Sequence, residues 1–99
     1  MDKECYFLRH KIKQELFVYL EIGETWEESF FMEFKITDDA PHSINSGSLY
    51  ENRHTLIAFK YIAITDIKEI LKDKKLEWMP IEPDAQLKFS AKTFVESFV

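Results

Sequence analysis

The chain is short of the residues that staple, kink and turn a backbone. It holds one cysteine, two glycines and three prolines in 99 residues. A single cysteine excludes an internal disulfide framework and any cysteine-rich zinc site. Scarce glycine and proline predict few tight turns and economical connections. The longest stretch free of Asp, Glu, Lys and Arg runs from Ala40 to Tyr50, and it is polar, with Pro41 and Gly47 inside it. A membrane-spanning helix needs about 20 apolar residues, so none is expected. The start, Met1-Asp2-Lys3-Glu4-Cys5, lacks the basic-then-apolar layout of a signal peptide. Cys5 beside Tyr6 and Phe7 reads as a reduced, packed thiol. Together these features predict a cytoplasmic protein.

What is present is apolar and aromatic: 45% and 15% of the residues, with 31% charged. That composition belongs to a folded chain, and its length suits one domain over residues 1–99. Eighteen acids against thirteen bases give a net charge of −5. A general nucleic-acid binder must neutralise phosphates with a basic surface, so this balance argues against direct nucleic-acid binding.

Strict alternation marks two strands. Leu16, Val18, Leu20 and Ile22 fall on one face, with Phe17, Tyr19 and Glu21 on the other. Phe30, Met32, Phe34 and Ile36 then alternate with Phe31, Glu33, Lys35 and Thr37. Gly23 to Ser29 joins the two runs as a hairpin loop. Residues 4–14 fit a helical stripe through Cys5, Leu8 and Ile12, but Tyr6-Phe7-Leu8 favours a strand. Thr55 to Ile64 is apolar on both faces apart from Lys60, as in a central strand. Asp66, three residues before Glu69, caps an expected helix with Ile67, Ile70 and Leu71 inward. Leu76 to Ile81 reads as a short strand that Pro80 confines to an edge. After Pro83 and Asp84, the residues Leu87, Ala91, Phe94, Val95 and Phe98 form one face of a second helix. The expected fold is α+β, a mainly antiparallel sheet with about two helices packed on one face.

No catalytic signature accompanies this pattern, and no cofactor motif is present. His10, His42 and His54 lie in no motif. Asp38-Asp39-Ala40-Pro41-His42 has too few ligands for a metal site and reads as a turn before proline. A general-base reading of His54 with Glu51 or Tyr50 rests on a long structureless segment, 38–54. Arg53 and His54, adjacent at the entry to a strand, would point to opposite faces. Asn45-Ser46-Gly47-Ser48 lacks the lysine and helix of a phosphate loop and reads as a turn.

Charge placement is the feature that core packing does not explain. Residues 15–39 carry Glu15, Glu21, Glu24, Glu27, Glu28, Glu33, Asp38 and Asp39 against Lys35 alone. Residues 1–14 hold two acids against four bases, and residues 40–99 hold eight of each. The negative excess therefore lies on one hairpin. Glu21 and Glu33 are expected on its outward face with Phe17, Tyr19 and Phe31, and Glu24, Glu27 and Glu28 surround Trp26 at its tip. An exposed aromatic ringed by carboxylates combines a short-range anchor with a steering field for a basic partner. The alternative is a solvated acidic face with Trp26 folded back onto the core.

The small size, acidity, aromatic richness and the Glu24-Thr25-Trp26-Glu27-Glu28 segment resemble the small acidic immunity proteins that neutralise bacterial toxins, including those of contact-dependent growth inhibition. The resemblance implies a non-enzymatic cytoplasmic protein that covers the active site or substrate groove of a cognate, basic nuclease toxin. The expected contact residues are Glu24, Trp26, Glu27 and Glu28, extended by Tyr19, Glu21 and Glu33 and reached by Asp38 and Asp39. Two other readings stand beside it: an acidic DNA mimic that inhibits a nucleic-acid-binding protein, and a small His54-dependent enzyme. An uncovered apolar strand face would also permit a homodimer.

Overall fold

A computed structural model of the chain describes residues 4–38, 40–57, 62–82 and 93. Five strands form one antiparallel sheet: β1 (Glu4–His10), β2 (Leu16–Ile22), β3 (Phe30–Thr37), β4 (Ala40–Ser48) and β5 (Trp78–Ile81). Their order across the sheet is β4-β3-β2-β1-β5. Among the described residues two short helices, α1 (Leu49–Leu56) and α2 (Ile67–Leu71), join the sheet in an α+β fold. No helix among the described residues is long and apolar enough to cross a membrane.

The alternation in β2 and β3 builds two cores, one on each side of the sheet. Register decides their membership, because directly opposed residues share a face. Val18 opposes Leu8 and Glu33, and Leu20 opposes Tyr6 and Phe31. This face carries the helices: Leu8, Val18, Leu20, Ile22 and Phe31 cluster with Leu49 and Leu56 of α1, Ile67 and Leu71 of α2, and Trp78. On the opposite face Phe17 opposes Phe34, and Tyr19 opposes Met32. Phe17, Met32 and Phe34 are buried there, packed against Phe7, Tyr19, Phe30, Ile36 and Ile81. The Phe17 and Phe34 rings stack at 5.7 Å. Each fully buried large side chain of this kind contributes about 1.5–3 kcal/mol.

This register corrects the expected outward face. Phe17 and Phe31 are buried, on opposite sides of the sheet, and Glu33 lies on the helix side, away from Tyr19 and Glu21. Cys5 is exposed, not packed, because it sits at the start of β1 opposite Glu21.

The segment 38–54 is not a loop. It holds β4 and most of α1. The strand is polar and takes its extended form from pairing with β3, not from side-chain propensity. Asn45-Ser46-Gly47-Ser48 belongs to this strand, and Gly47 takes a φ of +148°, which strains any L side chain. Ser48 then caps α1, its hydroxyl accepting the Glu51 N–H at 3.2 Å. Asn45 Nδ2 donates to Asn52 Oδ1 at 2.5 Å, and Asn52 Nδ2 donates to the Ser48 carbonyl, fixing helix to strand.

The expected strand from Thr55 to Ile64 is corrected by that cap. Thr55 and Leu56 end α1, and Ile64–Asp66 form a 3-10 turn; residues 58–61 lie outside the described residues. Asp66 stands at the α2 N-terminus as expected, but its side chain makes no cap hydrogen bond because the preceding 3-10 turn leads straight into the helix. The edge strand holding Pro80 is β5, with Pro80 opposite Leu8. The second expected helix, Asp84 to Phe98, lies outside the described residues apart from Thr93.

Candidate binding surface at the acidic turn

The β2–β3 turn is built from its own short polar side chains. Ser29 is buried; its hydroxyl accepts the Gly23 N–H at 2.8 Å and donates to the Thr25 carbonyl at 2.8 Å. The Thr25 hydroxyl accepts the Glu28 N–H at 3.1 Å, as a helix cap would. Gly23 lies close beneath Glu28, where a Cβ would meet the Glu28 Cβ at 3.3 Å. The turn is also bolted to α1: the Leu49 N–H donates to the Ser29 carbonyl and the Tyr50 N–H to the Trp26 carbonyl.

Trp26 is not an exposed tip residue. It is half-buried against the helix-side core, and its indole N–H donates to the Ile62 carbonyl at 2.9 Å. A large apolar ring beside a core edge gains more by packing than by standing in water, and the N–H finds its partner inside. Its neighbours Glu24, Glu27 and Glu28 are left pointing outward and exposed. Glu51, in the first turn of α1 and also exposed, is brought to the same end by the Tyr50–Trp26 bond. Its place here could have been found from Ser48-Leu49-Tyr50-Glu51, a Ser-x-x-Glu helix-start signal.

Among the described residues Lys68 pairs with Glu4 and Lys72 with Glu69, and His10 Nε2 lies 3.4 Å from Glu77 Oε2. None uses Glu24, Glu27, Glu28 or Glu51. The Lys68–Glu4 pair sits on the same end of the sheet, at 2.6 Å, since Glu4 opposes Ile22. Lys68 and the Tyr6 hydroxyl hold the Glu4 carboxyl below its ordinary range. Burial and the Glu4 hydrogen bond push the Tyr6 phenol up to about 12.

The other expected contact residues do not join this cluster, Glu21 by its face of the sheet and not by its end, since it lies next to Ile22. Tyr19 and Glu21 lie on the sheet face away from the helices. The Tyr19 hydroxyl donates to Glu21 Oε1 at 2.8 Å and lies 3.3 Å from Cys5 Sγ, and the ring packs 5.0 Å from Phe7. Burial, with these two contacts, raises the phenol pKa far above its ordinary value. Glu33 is half-buried on the helix side, where desolvation raises its carboxyl and the nearby His10 and Lys13 oppose that rise. Asp38, exposed with φ +52° in the β3–β4 turn, stands at the far end of β3. Eight strand residues at about 3.3 Å each put it roughly 25 Å from the acidic turn. Asp39 lies outside the described residues.

That far end gathers more bases than acids among the described residues that meet there. Glu15 and Asp38 stand there with Arg9, Lys11, Lys13 and Lys35, because the Glu15 carbonyl accepts the Ile36 N–H and the 11–15 turn closes beside it. His10 organises the turn, its Nδ1 accepting the N–H groups of Ile12 and Lys13 at 3.2 and 2.9 Å.

Comparison with known protein families, curated proteins and solved structures finds no match to this chain.

The catalytic alternative loses its setting. Tyr50, Glu51 and His54 are exposed on α1, not gathered in a long loop. Arg53 covers the Tyr50 ring at 4.1 Å and donates to the Tyr50 carbonyl. Among the described residues no cluster of three His, Cys, Asp or Glu side chains has the spacing to hold a metal ion.

Proposed function

We propose that the protein is a small acidic cytoplasmic immunity protein that binds a cognate basic nuclease toxin without catalysis of its own, using the β2–β3 turn. The observation that carries this reading is a hydrogen-bonded turn whose exposed carboxylates, Glu24, Glu27 and Glu28, enter no ion pair among the described residues. A hydrogen-bonded turn loses little backbone freedom on docking, and the field of carboxylates outside any described ion pair speeds encounter with a basic surface. On a nuclease they would stand where substrate phosphates otherwise sit. Glu51 joins the contact surface, and Trp26 acts by positioning the turn instead of inserting into the partner.

A DNA mimic needs its charges spread along a phosphate-like ladder. The acids divide between one end where Glu24, Glu27 and Glu28 enter no ion pair among the described residues and another where Glu15 and Asp38 lie among bases, which favours a compact basic site as the target. The test is retention of a partner from native-cell extract on immobilised wild-type protein and on the Glu24→Gln, Glu27→Gln, Glu28→Gln variant. One basic partner with nuclease activity, released by salt and lost from the variant, is the expected result. A partner held equally by the variant refutes the site, and several DNA-binding proteins would favour the mimic.

A further inference from the structure

β4 is a long edge strand that carries Pro41 and a bulge but no lysine. It spans nine residues, Ala40–Ser48, contains no charged side chain other than the titratable His42, and pairs only with β3 among the described strands. Its residues Ala40 and His42 to Ser46 are exposed. Edge strands are ordinarily blunted by lysine, proline or a bulge, since their open N–H and C=O groups template further pairing. The other edge, β5, has four residues and Pro80 at its centre. β4 has Pro41 only near its start, and its bulge inserts Ile44 between Asn45, opposite Glu33, and Ser43, opposite Phe34. The inserted Ile44 is 51% exposed, an apolar side chain with no role in the described cores.

We propose that β4 pairs antiparallel with β4 of a second copy, joining two sheets across a two-fold axis near Ile44. The side chains on the strand favour a second copy over an unlike partner. Ser43 and Ser46 each carry both a donor and an acceptor, so identical strands satisfy one another, whereas a charged peptide would meet no counter-ion. Charge at the two ends selects the antiparallel direction. Antiparallel pairing sets the acidic-turn end of one copy beside the base-rich end of the other, where Lys35 opposes His42; parallel pairing would set acid against acid. Ile44 meets its symmetry mate and leaves water.

This pairing is independent of the toxin-binding reading, because it is measured on the protein alone with no partner present. Sedimentation velocity from micromolar to millimolar concentration is expected to show a reversible shift from 11.8 kDa to twice that mass. Ile44→Lys places like charges at the axis and should move the midpoint about tenfold higher or more, while Met79→Lys, on the exposed β5 edge, leaves it unchanged. Ser46→Lys serves the same purpose should Ile44→Lys lose the native circular dichroism spectrum. Concentration-dependent amide protection confined to residues 42–46 is the matching signature. A monomer at every concentration overturns the proposal, as does a dimer indifferent to the lysine variants or one lost on Met79→Lys. Protection of the β4 amides by an unlike partner alone overturns it in favour of strand donation by that partner.

Discussion

The indole N–H of Trp26, bonded to the Ile62 carbonyl, ties the acidic turn to the segment before α2. Trp26→Phe keeps most of the packing and removes that bond, so it should cost about 1 kcal/mol in urea denaturation and speed amide exchange in residues 23–29. Exchange unchanged in the turn would mean that Ser29 and Thr25 hold it alone. Glu33 gives a second residue-level test. Burial raises its folded pKa above the ordinary carboxylate value, with His10 and Lys13 opposing. Folding therefore favours its protonated form, and its contribution to stability declines as pH rises from the ordinary carboxylate value through the folded one. Above that window the ionised group is a constant penalty. Glu33→Gln should raise the melting temperature at neutral pH and flatten the pH dependence in that window. A lower melting temperature would show that attraction to His10 and Lys13 outweighs desolvation.

At the scale of elements, β2 and β3 were legible because alternation over seven residues has no other reading. The faces they share were not. Hairpin register is set by the turn, and a different pairing moves every side chain of one strand to the other face. Pairing Val18 with Glu33 put Phe31 in the helix-side core and took Glu33 from Tyr19. β4 gave no apolar signal because an edge strand exposed along most of its length needs none. The helix α1 was concealed by Thr55-Leu56-Ile57, an apolar run equally suited to a buried strand, although Ser48 and Glu51 marked where it begins. Two substitutions test these elements. Phe34→Ala empties a fully buried site on the face away from the helices and should cost about 3–5 kcal/mol, read by urea denaturation. Ser29→Ala removes the buried hydroxyl that joins Gly23 to Thr25 and should cost about 1–3 kcal/mol, with less than 0.5 kcal/mol, roughly the noise of a surface change, contradicting its role in the turn.

Across the whole molecule, sequence placed the charge excess on one hairpin, and folding divides it. Glu24, Glu27 and Glu28 occupy one end with Glu51, while Glu15 and Asp38 lie among bases at the other. The ends are roughly 25 Å apart along β3, beyond the screening length of about 8–10 Å near physiological salt, so each acts as a separate field. That division was out of reach of the sequence, because it depends on which turns share an end of the sheet. The central claim is that the acidic end steers and holds a basic partner. Its most direct test is the association rate constant of the captured partner, measured by stopped flow across ionic strength for wild-type protein and the Glu24→Gln, Glu27→Gln, Glu28→Gln variant. Wild-type association should fall steeply as salt rises, and the variant should associate about tenfold or more slowly at low salt with a nearly flat dependence. Equal rates and equal salt slopes for the two proteins would contradict the account.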